Sequence, residues 1–95
     1  MQILTVSRRR TESFPDSAFA DLAEAEMNAA RALYASGHLR QIWRRADTPG
    51  ACILFEADSE QHVRELIGTL PLMKAGMLEM TILPLSPYPG FGPRK

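Results

Sequence analysis

Glu26 stands where a carboxylate is least expected. On a helical wheel turned about 100° per residue, Ser17 to Ser36 collects Phe19, Leu22, Ala29, Ala30 and Leu33 in one apolar sector. Asp21, Glu24, Asn28 and Arg31 fall opposite. Glu26 lies four residues after Leu22 and four before Ala30, inside the apolar sector. A carboxylate that faces a core must be paired, neutralised or set against a cavity. Burial raises its pKa toward the range in which a carboxyl group can take up and return a proton. Two readings stay open here: a proton carrier, or a carboxylate that pairs with an arginine or reaches water.

Few other residues offer chemistry. Cys52 is the only cysteine, which excludes an intramolecular disulfide and a cysteine-based metal cluster. His38 opens a strand and can titrate near neutrality. With His62 it makes no metal-ligand pattern, so no metal is expected. Arg8 to Arg10 reads as a solvated strand end in preference to an anion site. No phosphate loop, nucleophile elbow or nucleic-acid module is present. The 11 basic and 11 acidic residues cancel, which removes the electrostatic footprint of a nucleic-acid or membrane binder. No apolar run approaches the roughly 20 residues of a membrane span, and Met1 to Val6 is too short, with its arginines on the wrong side, for a signal peptide. A cytoplasmic protein is expected.

The elements that position Glu26 follow from periodicity. Gln2 to Ser7 alternates as a strand, with Ile3 and Thr5 on one side and Leu4 and Val6 on the other. Thr11 to Asp16 is a loop, and Asp16 or Ser17 can cap the long helix, which Gly37 stops. His38 to Arg45 is a second strand. Asp47-Thr48-Pro49-Gly50 turns the chain into a third, Ala51 to Ala57, which is apolar on both faces. Asp58 begins a second helix, with Gln61 at capping-box spacing. Val63, Leu66 and Ile67 form its buried side, and Leu70-Pro71-Leu72 ends it. Met77 to Leu83 is a fourth strand. Pro84 to Lys95, with four prolines and two glycines, is expected to be irregular.

The order β-α-β-β-α-β predicts an α+β, ferredoxin-like fold in one domain over residues 1–95, with 86–95 as an extended tail. Two helices cover one sheet face. Strands apolar on both faces leave the other face needing cover, and a second copy supplies it as a dimeric α+β barrel. Tyr88 and Phe91 are large for a tail, which is expected to cross to a neighbouring protomer.

Ser36-Gly37-His38-Leu39-Arg40-Gln41-Ile42-Trp43-Arg44, then Leu70-Pro71-Leu72, then Leu78-Glu79-Met80-Thr81 leading to Pro84-Leu85, resemble the muconolactone delta-isomerase family. The likeness runs from about Leu22 to Leu85. It implies a small homodimeric barrel that also assembles into larger rings. It implies cofactor-independent isomerisation of an unsaturated lactone, or loss of chloride from a chlorinated one. It also implies a first-helix glutamate as proton shuttle, and Glu26 matches that position. A double-bond shift then needs a group for the substrate carboxylate and the dienolate oxygen. Arg40 and Arg44 are the candidates, because an arginine fork matches a carboxylate. Trp43 and His38 complete the candidate substrate-binding set, although Trp43 equally suits a core or dimer contact. The other readings are a cofactor-free monooxygenase of the same barrel superfamily and a non-catalytic small-molecule-binding or oligomerisation module.

Overall fold

Alternation along β1 (Gln2–Arg9) divides the strand between two environments. Ile3, Thr5 and Ser7 are buried beneath helices, while Leu4 and Val6 are half-buried on the opposite face. The computed structural model describes residues 1–91. In it β1 pairs antiparallel with β3 (Ala51–Glu56) on one side, setting Ile3 opposite Phe55 and Thr5 opposite Ile53. On the other side it pairs antiparallel with β4 (Leu78–Pro84). β2 (Leu39–Arg44) joins β3 at the edge, giving the order β2-β3-β1-β4. This is the expected ferredoxin-like α+β arrangement.

The first helix, α1 (Asp16–Ala35), ends as its glycine requires. Gly37 takes φ 85°, its N–H donates to Tyr34 O, and the His38 N–H donates to Leu33 O. The pair is a Schellman stop. At its start the expected cap fails: Pro15 holds the cap position and no side chain bonds there, so Asp16 is already in the first turn. The second helix, α2 (Glu60–Ile67), is capped by Ser59, whose Oγ accepts the His62 N–H at 3.0 Å, one residue beyond the expected Asp58. Leu70-Pro71-Leu72 does not simply end a helix. It opens a further short one, α3 (Pro71–Lys74), with Pro71 in its first turn, where a missing N–H costs nothing.

Two apolar clusters pack between helices and sheet. The larger gathers Ile3, Leu39 and Phe55 from the sheet, Leu33 from α1, and Val63 and Ile67 from α2. The smaller gathers Phe19, Leu72 and Met77. β2 keeps Leu39 in the larger cluster only because its pairing shifts at Arg40: Leu39 faces Phe55, but Gln41 faces Leu54. The extra residue turns Ile42 and Arg44 to the helix side and Trp43 to the open side.

The open face carries Leu4, Val6, Cys52 and Leu54, with Trp43 and Leu83 left 49% and 43% exposed. After β4 the Leu85 N–H donates to Gln2 O, and a single 3-10 turn follows at Pro89–Phe91. Tyr88 and Phe91 are exposed, with ring centres 5.0 Å apart. The last four residues of the expected tail lie outside the described residues.

Candidate functional site

Between the Glu26 side of α1 and the covered face of the sheet lies a cavity of about 740 Å³. Small residues on both walls help to keep it open, among larger ones such as Met27, Ile53 and Leu72. Ala23 and Ala30 from α1 face Ser7 and Ala51 from the sheet, and the two apolar clusters flank the space without filling it. Ser7 is fixed in this wall. Its Oγ donates to Ala51 O at 3.3 Å and accepts the Ala51 N–H at 3.1 Å. The β2–β3 turn closes one end, held by Arg9 N–H to Pro49 O and Arg45 N–H to Gly50 O. A Cβ at Gly50 would overlap the Ser7 carbonyl oxygen, so this approach of turn to β1 requires glycine.

Glu26 projects from α1 into the cavity and is half-buried. Its Oε1 accepts the Leu72 N–H at 3.0 Å. Because Pro71 has no N–H, Leu72 offers the first donor of α3. Burial pushes the Glu26 carboxyl above its ordinary value, against the opposing pull of the Leu72 N–H and then of the Arg9 charge. Oε1 is therefore engaged with backbone, and the second oxygen is left for the cavity.

Arg9, Arg44 and Arg45 also line the cavity. Arg45 is committed. Its Nε and Nη2 donate to the two Asp47 carboxylate oxygens at 3.0 and 2.8 Å, and Nη1 donates to Ser7 O at 3.3 Å. That fork holds the Asp47 carboxyl below its ordinary value. Arg9 places its guanidinium 5.1 Å above the Phe19 ring. It also borders a smaller adjoining cavity of about 240 Å³, which shares Ala23 and Pro49 with the larger one.

Of the five residues singled out in the sequence, Glu26 and Arg44 share this cavity. Arg40, Trp43 and His38 do not line it. Arg40 is exposed at the β2 irregularity, and its charge acts on Glu56 rather than Glu26. The charge expected to oppose burial at Glu26 is therefore not Arg40 but Arg9. Trp43 lies opposite Cys52 on the open face. His38 Nδ1 lies 3.2 Å from Glu56 O, and its ring stands edge-on to His62 with centres 5.0 Å apart. Among the described residues no three His, Cys, Asp or Glu side chains group closely enough to hold a metal ion. No helix among them is long and apolar enough to cross a membrane.

The place of Arg9 follows from strand alternation. Arg9 shares the parity of Ile3, Thr5 and Ser7 along β1, so period-two alternation turns it under the helices. Its neighbour Arg8, of opposite parity, pairs with Glu12 and Glu79 at the surface, as a solvated strand end should.

The arrangement joins a carboxyl group whose pKa burial raises, a cavity of small-molecule size, and guanidinium groups that can receive negative charge. Comparison with known proteins places it in context. The structure is similar to muconolactone isomerase, with TM-score 0.77 and 20% identity over 100% of this chain and 98% of that one. It is also similar to 5-chloro-2-hydroxyhydroquinone dehydrochlorinase from Burkholderia phenoliruptrix AC1100 in complex with 2,5-dihydroxybenzoquinone, with TM-score 0.72 and 19% identity over 90% and 94% of the two chains. At these identities the likeness establishes the fold. A search of curated proteins finds no match. The family profile described as muconolactone delta-isomerase matches residues 3–90, nearly the whole chain, and the chain belongs to that family.

Proposed function

We propose that this protein is a cofactor-independent isomerase or lyase for a small unsaturated lactone or carbonyl acid, with Glu26 as the proton carrier. The observation that carries the reading is the half-buried Glu26 carboxyl, its affinity for a proton raised by burial, in a cavity that also holds Arg9 and Arg44. The free carboxylate oxygen of ionised Glu26 takes a proton from the carbon beside the substrate carbonyl. The C–H electron pair moves into the ring and leaves a dienolate, whose oxygen an arginine stabilises. Protonated Glu26 then returns the proton at the distal carbon, and the double bond has moved with no net change of atoms. Where the substrate carries chlorine, the same dienolate can expel chloride instead, and the proton passes from Glu26 to water. The dehydrochlorinase among the similar structures favours keeping this second outcome in view.

Arg44 and Arg9 take the anion-binding role in this proposal, and Arg40, Trp43 and His38 stand outside it. We also propose a cytoplasmic homodimer, closed through the sheet face that holds Leu4, Val6, Trp43 and Leu54. That face is apolar and bare of helices, which supports burial against a second copy.

The test follows a panel of unsaturated γ-lactones and their chlorinated analogues by proton NMR in deuterated water. The proposal expects a double-bond shift or chloride release. Glu26→Gln should lose about 10²-fold or more of the rate while melting no lower than the wild-type protein. No turnover across the panel, or an undiminished rate in Glu26→Gln, would overturn it and leave a binding or oligomerisation module.

A further inference from the structure

The arginines around the cavity differ in what they already hold. Arg45 is matched by Asp47 through two short bonds. Arg9 and Arg44 form no ion pair with a carboxylate among the described residues, yet both line the cavity, Arg9 from β1 and Arg44 from the far edge of the sheet. Strand register fixes their separation. Arg44 lies opposite Ala51, whose neighbour across β1 is Ser7, and Arg9 is two residues further along β1. Two strand spacings across and two residues along put the Cα atoms roughly 12 Å apart. Two long side chains on that spacing can present two guanidinium groups to the two ends of one short ligand. Glu26 lies in the opposite wall of the same cavity, on α1.

The energetics point the same way. A guanidinium half-withdrawn from water without an anionic partner is an unmet demand. Arg9 meets that description, and Arg44, though exposed, likewise pairs with no carboxylate among the described residues, so a ligand with two anionic ends matches the two better than one with a single carboxylate. Arg9 is part-buried, is braced by Phe19 and is anchored through its backbone N–H to Pro49 O. It is therefore positioned before any ligand arrives, which lowers the ordering cost of binding.

We propose that Arg9 and Arg44 form a two-point clamp, and that the preferred ligand of this cavity is a small dicarboxylate. One carboxylate sits at Arg9, near the junction with the smaller cavity, and the other sits at Arg44 on the β2 edge. The carbons between them lie across from Glu26. The clamp rests on the proposed function, in which one arginine receives the substrate carboxylate and the other the dienolate oxygen, because a dicarboxylate sets an anionic oxygen at both positions, but it can be tested without turnover.

Calorimetric titration with adipate and hexanoate provides that test, because the two acids share a chain length and differ by one carboxylate. The wild-type protein should bind adipate about tenfold or more tightly than hexanoate. Arg9→Gln and Arg44→Gln should each erase the preference, and Arg9→Lys, which keeps the charge, should retain it. Circular dichroism checks that each variant is folded. Glu26→Gln should keep the preference, so a failed lactone assay beside a retained adipate preference would sink the proton-carrier reading and spare the clamp. Equal affinity for the two acids, undetectable binding of both, or an adipate affinity unchanged in Arg9→Gln would overturn the clamp.

Discussion

Phe55 and Leu54 are neighbours on β3 and live in different environments. Phe55 is wholly buried under the helices, whereas Leu54 is half-buried on a face that no described element covers. The same division runs through β1, where Ile3, Thr5 and Ser7 meet the helices and Leu4 and Val6 do not. The covered face admits polar groups and the open face does not need them. Under the helices, Thr5 and Ser7 bond to β3 carbonyls, and Ser7 and Arg9 border the cavity with Glu26. On the open face the central residues are aliphatic, with Cys52 and Trp43 beside them. The difference sets a covered face whose polar groups gather at the candidate cavity against an apolar face that the described elements leave open.

The comparison breaks most sharply at that residue pair. Phe55→Ala should cost about 3–5 kcal/mol by chemical denaturation, because it empties the larger cluster. Leu54→Ala, measured at concentrations where the chain is monomeric, should cost about 1 kcal/mol or less. Leu54→Asp should abolish self-association in sedimentation. Equal costs for the two alanine variants would mean that the faces are not energetically distinct.

Gly50→Ala should cost about 1–3 kcal/mol and alter the cavity wall, because the new methyl meets the Ser7 backbone and not a movable side chain. Melting of the variant checks the cost. An unchanged melting temperature would mean that the turn relaxes freely and does not wall the site.

A smaller effect is expected on the pH dependence of stability. The folded pKa of Glu26 is raised, so its contribution is full below the ordinary carboxyl range and is lost as pH rises through the folded value. Glu26→Gln keeps an oxygen for the Leu72 N–H and removes the titration. The variant should therefore lose less stability than the wild-type protein between about pH 4 and neutrality. Parallel melting-temperature curves over that interval would contradict the assignment.

The smallest effect is expected from the tail. Removing Pro87 to Lys95 takes away Tyr88 and Phe91, which are exposed in the single chain. The deletion should leave the monomer's stability unchanged and weaken only the assembled form. A drop in monomer stability would place the tail in the chain's own fold.

Element order, the two-faced strands and the place of Glu26 could be read from the sequence because each rests on periodicity. Three features could not. The irregularity at Arg40 decides which side of β2 faces the helices, and nothing in Leu39-Arg40-Gln41 signals an extra residue. Without it, Leu39 would share a face with Trp43, and Arg44 would turn away from Glu26. The start of α3 at Pro71 was hidden because a proline after a helix reads as an end, whereas here it is a beginning. The donor to Glu26 is a backbone N–H, which carries no residue signature. Arg9 is the opposite case, since parity with Ile3 was available and the basic run masked it.

The central claim is that burial prevails over the Leu72 N–H and Arg9 at the Glu26 carboxyl. Carbon-detected NMR titration of that carboxyl, with Glu26→Gln assigning the resonance, measures it directly. A midpoint clearly above the roughly 4.3 of a free glutamate is expected, with a further rise in Arg9→Gln as the opposing charge is removed. A midpoint at or below the free value would show that hydrogen bonding and charge prevail, and would contradict a proton-carrying Glu26.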